Sequence, residues 1–578
     1  MQSKDSIRRS PGIIPQLYVY DVTNVHRKER TFLFGKVLSA DVRGIEGFGV
    51  SVEADISDGM PMFLMVGYLA SEVREAGDRV RTALKNCGVV LPAKRITVNL
   101  APASVRKAGS RFDLPIAAAL LAALGLLEAR DLSKVLVAGE LSLNGEIHGI
   151  SGILPMVESA RDLGCSSCVV PLANMREASL VSGIQVWGIR HLKELLPEPE
   201  SGFSGRGRRE MEKSEGSESG WNKEGLFDRA RQEERLFSRL CRGEGAREED
   251  RLLEDPDYEV DFSEIHGQES LKRASQVAVA GMHNFLMIGP PGSGKTMVAR
   301  RIPTILPPLR VEESLELSKI YSIAGLLSGS DPLIRQRPFR APHHTITPAA
   351  LTGGGRIPMP GEISLGTHGV LFLDELPEFQ KTALEILRQP LEEGEVRICR
   401  SYGTYVYPAR FMLVGAMNPC RCGYYPDRNL CRCGTEEVRR YLGRLSQPLL
   451  DRMDICMEAP RLSYEELTSR APAETSAEIR SRMKRVHALQ RERYEGTPWR
   501  FNSDLNGAGL EEFCPLGKKE QKLLKDAFER LHLSARAYHR IIKVARTIAD
   551  LEEAKQIGCG HLLEAVCYRT MDKKFGIG

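Results

Sequence analysis

Eight residues, GPPGSGKT at 289 to 296, follow the apolar run NFLMI and precede MVARRI. Strand, glycine-rich loop and helix in that order make a cradle for phosphates: the glycines admit close approach of the backbone, and the loop N–H groups and the helix N-terminus face the anion. The nucleotide-binding candidates are Gly289, Pro290, Pro291, Gly292, Ser293, Gly294, Lys295 and Thr296. In such a loop Lys295 reaches the β- and γ-phosphates and Thr296 holds Mg²⁺. VLFLDE, 370 to 375, has the composition of a buried strand that ends in two carboxylates. Asp374 would hold Mg²⁺ through water, and Glu375 would orient and deprotonate an attacking water. A third apolar run, FMLVGAMNP, ends in Asn418, a polar strand tip that can touch the γ-phosphate and that water. ATP and Mg²⁺ are the cofactors this set calls for, and hydrolysis is its chemistry.

Directly after Asn418, NPCRCGYYPDRNLCRCG carries Cys420, Cys422, Cys431 and Cys433 in two CxC pairs. Four thiolates can hold a structural, tetrahedral Zn²⁺ that staples a loop rich in Gly, Arg and Asp. The spacing is not that of a CxxC ribbon, so free or redox-active thiols and an iron–sulfur cluster are the alternatives. No open coordination position is evident, and catalytic zinc is not expected.

These residues need elements to position them. The chain has 578 residues, too many for one core, so two to four domains are expected. Net charge is +4 with 27% charged residues, which excludes a dedicated nucleic-acid coat and makes any basic surface local. The N-terminus, MQSKDSIRRSPGIIPQ, has no signal-peptide core. The longest apolar run, LPIAAALLAALGLL at 114 to 127, is too short to span a bilayer and predicts a buried helix. The reading is a cytoplasmic protein without a membrane partner, whose 13 cysteines form no disulfides. Residues 1–197 read as a mixed domain: FGKVLSADVRGIEGFGVSVEADIS and RITVNLAP alternate like strands, and SEVREAGDRVRTALKNCG has helical spacing that stops at a glycine. Residues 198–258, mostly Gly, Ser, Glu and Arg, read as a flexible charged linker, with LFDRARQEERLFSRL as a short helix within it. Residues 259–460 hold the nucleotide motifs, and 461–578 are helical in pattern.

The order phosphate loop, acidic strand, Asn418 resembles that of AAA+ ATPases, with Asn418 in the sensor-1 position. LLDRMDI, 449 to 455, resembles their arginine-finger segment, which implies that Arg452 reaches a neighbouring subunit's γ-phosphate. SARAYHRIIKVARTIADL resembles the sensor-2 helix, implying that role for Arg536, with Arg540 as second choice. RPFRAPHHTITPAALTGGGRIPMPGEISLGTHGVLFLDELPEF, NPCRCGYY and the helical C-terminus are similar to the magnesium-chelatase-like AAA+ proteins of the YifB/ComM family. The resemblance covers nearly the whole chain except the linker. It implies an α/β multidomain protein: an N-terminal Lon-protease-like (ribosomal S5 domain 2-like) α+β domain, an AAA+ P-loop α/β core with a four-cysteine loop between sensor and finger, and a C-terminal helical lid. It also implies a homo-oligomeric ring, by family analogy a hexamer, that works on single-stranded or branched DNA. In ComM that work is branch migration of transforming DNA, and recombination proteins are then possible partners.

Three other functions match parts of the sequence. A chaperone-like ATPase that remodels a protein is the runner-up, separated by whether DNA stimulates turnover. A metal-chelatase subunit would need a porphyrin-holding partner. An ATP-dependent protease would need a Ser–Lys pair. AGSRFDLPIAAALLAALG resembles Lon's nucleophile helix, but Asp113 falls near the serine position, Ser110 lies close by, and ILPMVE has no lysine where one is needed, none following until Lys193. The DNA-contact candidates are Arg335, Arg337, Arg340, His343, His344 and Arg356 before the acidic strand. Arg397, Arg400 and Arg410 flank EVRICRSYGTYVYPAR, read as a β-hairpin with three tyrosines for stacking. Arg95, Arg106, Lys107 and Arg111 make a second candidate patch in the N-terminal domain.

Overall fold

The computed structural model describes residues 34–127, 132, 134–197, 240–242, 255–327, 331–468 and 473–569. The chain divides into two compact units, the second starting at Arg247.

The N-terminal unit is built on an eight-stranded sheet. Its strands run in the order Cys241–Arg242, Gln185–Ile189, Ser167–Pro171, Val135–Val137, Phe34–Arg43, Glu46–Ser57, Arg95–Ala101 and Met62–Val66. The helix Ser71–Asn86 buries Val73, Ala76, Gly77, Val80, Ala83 and Leu84, one stripe at helical spacing. The helix Asp113–Ala123 is buried at every position, as its all-round apolar sequence predicts. It packs on the sheet and on the Ser71–Asn86 helix. The linker expected over 198–258 lies outside the described residues except for 240–242 and 255–258. Cys241 and Arg242 pair antiparallel with Gly188 and Trp187, so this part of the stretch is an edge strand, anchored by the buried Leu240. The short helix expected at 226–240 also falls outside the described residues but for Leu240.

The second unit carries a five-stranded parallel sheet in the order Phe339–Arg340, Val370–Leu373, Met412–Met417, Phe285–Ile288, Ile455–Glu458. The strands Phe285–Ile288, Val370–Leu373 and Met412–Met417 are buried at every position, as expected of a parallel sheet covered on both faces. The C-terminal helices, Ser476–Arg493, Gly507–Phe513, Lys518–Leu531, Ala535–Leu551 and Cys559–Cys567, do not form a core of their own. Ile479, Met483, Ile541, Ile548 and Leu562 join the same apolar cluster as Phe285, Val298 and Val414. The sequence 395–408 is the expected antiparallel hairpin, Glu395–Arg400 with Gly403–Pro408.

Candidate functional site

In a parallel sheet all strand C-termini end on one edge, and ligands bind there. Register puts Ile288 beside Met417 and Leu373 beside Gly415, so Gly289, Asp374 and Asn418 emerge together. The phosphate loop turns through Gly292 and Gly294, at φ +76° and +84°, a region that favours glycine. Lys295 then opens the helix Lys295–Ile305. Its ammonium donates to the carbonyls of Gly289 (2.8 Å) and Pro290 (2.9 Å) and lies 3.3 Å from Oδ1 of Asn418. Burial pulls its pKa down to about 8, against the attraction of Asp374. Thr296 Oγ1 donates to Asp374 Oδ2 at 2.7 Å, so the two oxygens that would hold Mg²⁺ already converge. Asp374 Oδ1 also accepts from the Glu375 N–H at 2.9 Å. Glu375 sits at φ +51°, a strained conformation for a non-glycine residue and one that recurs at functional sites. Gln268 gave no signal in the sequence. Its side chain donates to the Ser293 carbonyl (3.1 Å) and the Pro460 carbonyl (2.7 Å), bracing the loop from below.

The four cysteines form a knuckle against this edge. Their sulfurs all lie within 4.8 Å of one another, with Cys420–Cys422 at 3.3 Å, Cys420–Cys431 at 3.7 Å and Cys422–Cys431 at 3.6 Å. Four thiolates at about 2.3 Å from a tetrahedral ion would stand slightly under 4 Å apart, so the set fits zinc. Burial raises the Cys422 thiol, but hydrogen bonds from the backbone N–H groups of Tyr424 and Arg432 and from the Cys420 and Cys433 thiols outweigh it together and bring it down to about 6. Gly423, inside the knuckle, lies against Pro291: a Cβ there would meet Pro291 Cδ at 2.3 Å.

Arg452 lies elsewhere. It precedes the strand Ile455–Glu458, whose Ile455 pairs with Phe285, so it sits at the N-terminal edge of the sheet. Four residues of strand, about 13 Å, separate that edge from the phosphate loop. Asn284, just before Phe285, fixes the segment: its Nδ2 donates to the Arg452 carbonyl (2.9 Å), and its Oδ1 accepts from the Leu413 N–H (3.0 Å). The Arg452 guanidinium pairs with Glu392, and its buried Nε has no partner among the described residues. Arg536 and Arg540 are at the same edge: Arg536 pairs with Asp451 at 2.8 Å and Arg540 with Asp454 at 3.5 Å. Burial raises the Asp454 carboxyl, but His283, Arg540 and Lys543 outweigh it and hold it near 2. Arg452, Asp454, Arg536, Arg540 and Lys543 line one cleft of about 770 Å³ with Arg410, Arg500 and His539. The guanidinium groups of Arg452, Arg536 and Arg540 are held by Glu392, Asp451 and Asp454, all away from the phosphate loop.

The basic candidates divide. Arg337 is a correction: it is 7% exposed, donates to the carbonyls of Pro307 (2.5 Å) and His368 (2.6 Å), and pairs with Glu313 at 3.3 Å. The flanking apolar residues pull this stretch into the core, and the guanidinium goes with it. Arg340 makes a two-pronged pair with Glu362 at 2.6 Å. Arg335 is half-buried, while His343, Arg356, Arg397 and Arg400 are exposed. Arg410, exposed, lines the cleft with Arg452 rather than standing at the hairpin tip. Of the tyrosines, Tyr407 is buried and donates to the Pro358 carbonyl (2.7 Å), and Tyr402 donates to the Arg356 carbonyl. They clamp the hairpin to the turn at 353–360 rather than offer free rings. His344 lies 3.4 Å from Glu375 Oε2 through its Nδ1, at the phosphate edge.

The N-terminal patch does not hold together. Lys107 is buried with its ammonium on the Pro102 carbonyl, and Arg111 pairs with Asp41 at 3.1 Å, leaving Arg95 as the exposed member. Asp113 is buried on Arg79 at 2.9 Å, and the Ser110 hydroxyl donates to Glu140. The Ser110 hydroxyl is thus engaged by a carboxylate rather than by a lysine.

Family models described as magnesium chelatase, subunit ChlI match residues 261–467, as subunit ChlI of Mg-chelatase residues 52–174, and as its C-terminal part residues 473–569. The competence protein ComM of Haemophilus influenzae is 40% identical over 93% of this chain and 97% of its own. The uncharacterized protein YifB of Escherichia coli is 39% identical over 92% and 96%. The magnesium-chelatase 38 kDa subunit of Rhodobacter capsulatus is 25% identical over 52% of this chain and 84% of its own.

Proposed function

The chain belongs to the ComM/YifB family of magnesium-chelatase-like AAA+ ATPases, and from that premise we propose that it forms a cytoplasmic ring, of six copies, whose ATP hydrolysis drives movement on DNA in branch migration of recombination intermediates. One observation carries the ring. The phosphate loop, Asp374, Glu375 and Asn418 stand on one edge of the sheet, and Arg452, Arg536 and Arg540 stand on the other. A chain with half a site on each edge completes a site only with a second copy, and repetition of that contact closes a ring.

The work then divides as follows. Lys295 and the loop N–H groups bind the triphosphate, and Thr296 and Asp374 hold the Mg²⁺ that neutralises its charge. Asn418 positions the attacking water and Glu375 takes its proton. Arg452 of the neighbouring copy, with Arg536 or Arg540, leaves its intrachain carboxylate to stabilise charge on the γ-phosphoryl group. Cys420, Cys422, Cys431 and Cys433 hold a structural zinc that keeps Asn418 and Pro291 in place. Arg356, Arg397 and Arg400, on the clamped pair of loops, are the DNA contacts. The N-terminal domain keeps a Lon-protease-like (ribosomal S5 domain 2-like) fold without the protease pair, and the C-terminal helices act as the lid.

The test is ATP turnover without DNA, with single-stranded DNA and with a four-way junction, at two salt concentrations, with Lys295→Ala as blank. Salt-sensitive stimulation together with junction unwinding is expected. A rate indifferent to every DNA sinks the motor reading and points to a protein client.

A further inference from the structure

Arg452 cannot reach a neighbouring copy's phosphate while its guanidinium is paired with Glu392. Its release leaves Glu392 without that cation. The next residue, Glu393, is a second exposed carboxylate, which accepts from the Gln389 side-chain amide at 2.8 Å. Both stand at the C-terminal end of the short helix Arg388–Glu393, and both line the cleft that holds Arg452. Helix C-termini carry negative potential, so a second cation is favoured at this place once Arg452 has gone.

The phosphate loop that would receive Arg452 is bordered by the cysteine knuckle. Gly423 lies against Pro291, and Arg421 is three residues beyond Asn418. The outer face of the knuckle is basic: Arg421, Arg428 and Arg432 are exposed. Arg428 is engaged within the knuckle, donating to the Cys433 carbonyl at 3.2 Å and lying 5.2 Å from the centre of the Tyr425 ring. Asp427, the one carboxylate in 419–434, accepts from the Asn429 N–H at 2.9 Å. Arg421 and Arg432 make no ion pair within 4 Å among the described residues. Each is the middle residue of a CxC pair, and the four sulfurs that flank them lie within 4.8 Å of one another. Two guanidinium groups on a backbone tied at one cluster are preorganised to receive a pair of carboxylates. Resting on the ring reading above, we propose that Arg421 and Arg432 of one copy take Glu392 and Glu393 of the next, the copy whose Arg452 enters its nucleotide site. Charges then stay paired through the exchange: Arg452 gains the phosphate, and the carboxylate it leaves gains a knuckle arginine. Ring closure thereby depends on an intact cysteine cluster.

The experiment follows assembly of full-length protein by sedimentation velocity with a non-hydrolysable ATP analogue. One variant carries Arg421→Glu with Arg432→Glu, and the other Glu392→Arg with Glu393→Arg. Alone, each sets like charges against one another at every interface and should need about tenfold more protein to form rings. In an equimolar mixture the reversed knuckle meets reversed acids and the native knuckle meets native acids. An alternating ring then has every interface attractive and should form at the wild-type concentration. Glu392→Arg also removes the intrachain partner of Arg452, but a fault of that kind would not be cured by mixing. Variants that assemble alone as readily as wild type overturn the proposal. So does a mixture that assembles no better than its parts, although both bind a fluorescent ATP analogue. If the Arg421→Glu, Arg432→Glu protein binds no nucleotide, Arg421→Gln with Arg432→Gln decides: weaker assembly with normal binding supports the pairing, and wild-type assembly overturns it. Wild type that stays a single copy at every concentration ends the ring reading and the pairing with it, whereas wild-type rings beside indifferent variants end the pairing alone.

Discussion

Arg337 and Arg400 show how differently two arginines of similar sequence setting behave. Arg337 is buried on Glu313, so Arg337→Ala takes a buried cation from a buried carboxylate, leaving it Arg310 at 3.2 Å, and takes the donors from the Pro307 and His368 carbonyls. Breaking such a pair costs about 3–5 kcal/mol. Urea denaturation should show that loss, and a variant as stable as wild type would contradict the burial. Arg400→Ala, at an exposed position, should leave stability within about 0.5 kcal/mol and reduce the salt slope of DNA binding by about one unit. A buried histidine gives the pH counterpart. Burial drives His487 down to about 4, only partly offset by the Val279 carbonyl 3.0 Å away. The unfolded chain binds a proton near 6.5 and the folded one does not. Stability from this site is therefore complete above about 6.5 and lost as pH falls towards 4, by up to roughly 3 kcal/mol. His487→Gln should remove that part of the acid dependence; an unchanged slope between pH 7 and 5 would count against it.

Among the elements, the cysteine knuckle and the phosphate loop act on one another through Gly423 and Pro291. Gly423 sits at φ +86° with no room for a Cβ, so Gly423→Ala suffers both backbone strain and a clash. A residue forced into this region costs about 1–2 kcal/mol, enough for roughly tenfold weaker ATP binding if the strain is relieved by moving Pro291. Elemental analysis should still find one zinc per chain, whereas Cys431→Ser should lose it. Unchanged ATP affinity in Gly423→Ala would remove the knuckle's buttressing role and leave its metal untouched. On the opposite edge, Arg536, Arg540 and Asn284 tie the helix Ala535–Leu551 and the core strands to the segment 451–454.

For the molecule as a whole, the split site makes a prediction no single copy could satisfy. Lys295→Ala and Arg452→Ala should each be nearly inactive alone. Mixed in equal amounts and allowed to exchange, a site is whole when a copy with Lys295 meets a neighbour with Arg452, roughly a quarter of interfaces. Turnover should recover to about that share of wild type. No recovery, with mixed rings shown by cross-linking, would sink action in trans. Much of this organisation is legible in the chain itself. The phosphate loop, the acidic strand, Asn418 and the four cysteines are contiguous motifs, because their chemistry needs neighbours within one loop or at one strand tip. The hairpin at 395–408 and the buried helix at 114–123 follow from local periodicity. What only the tertiary structure decided depends on residues far apart in sequence. Parallel strand direction put Arg452, Arg536 and Arg540 on the edge away from the phosphates, register brought His344 to Glu375, and packing against Glu313 took Arg337 inside. A stretch of arginines and histidines reads alike along the chain, and each side chain's role is set by the distant surface that it meets.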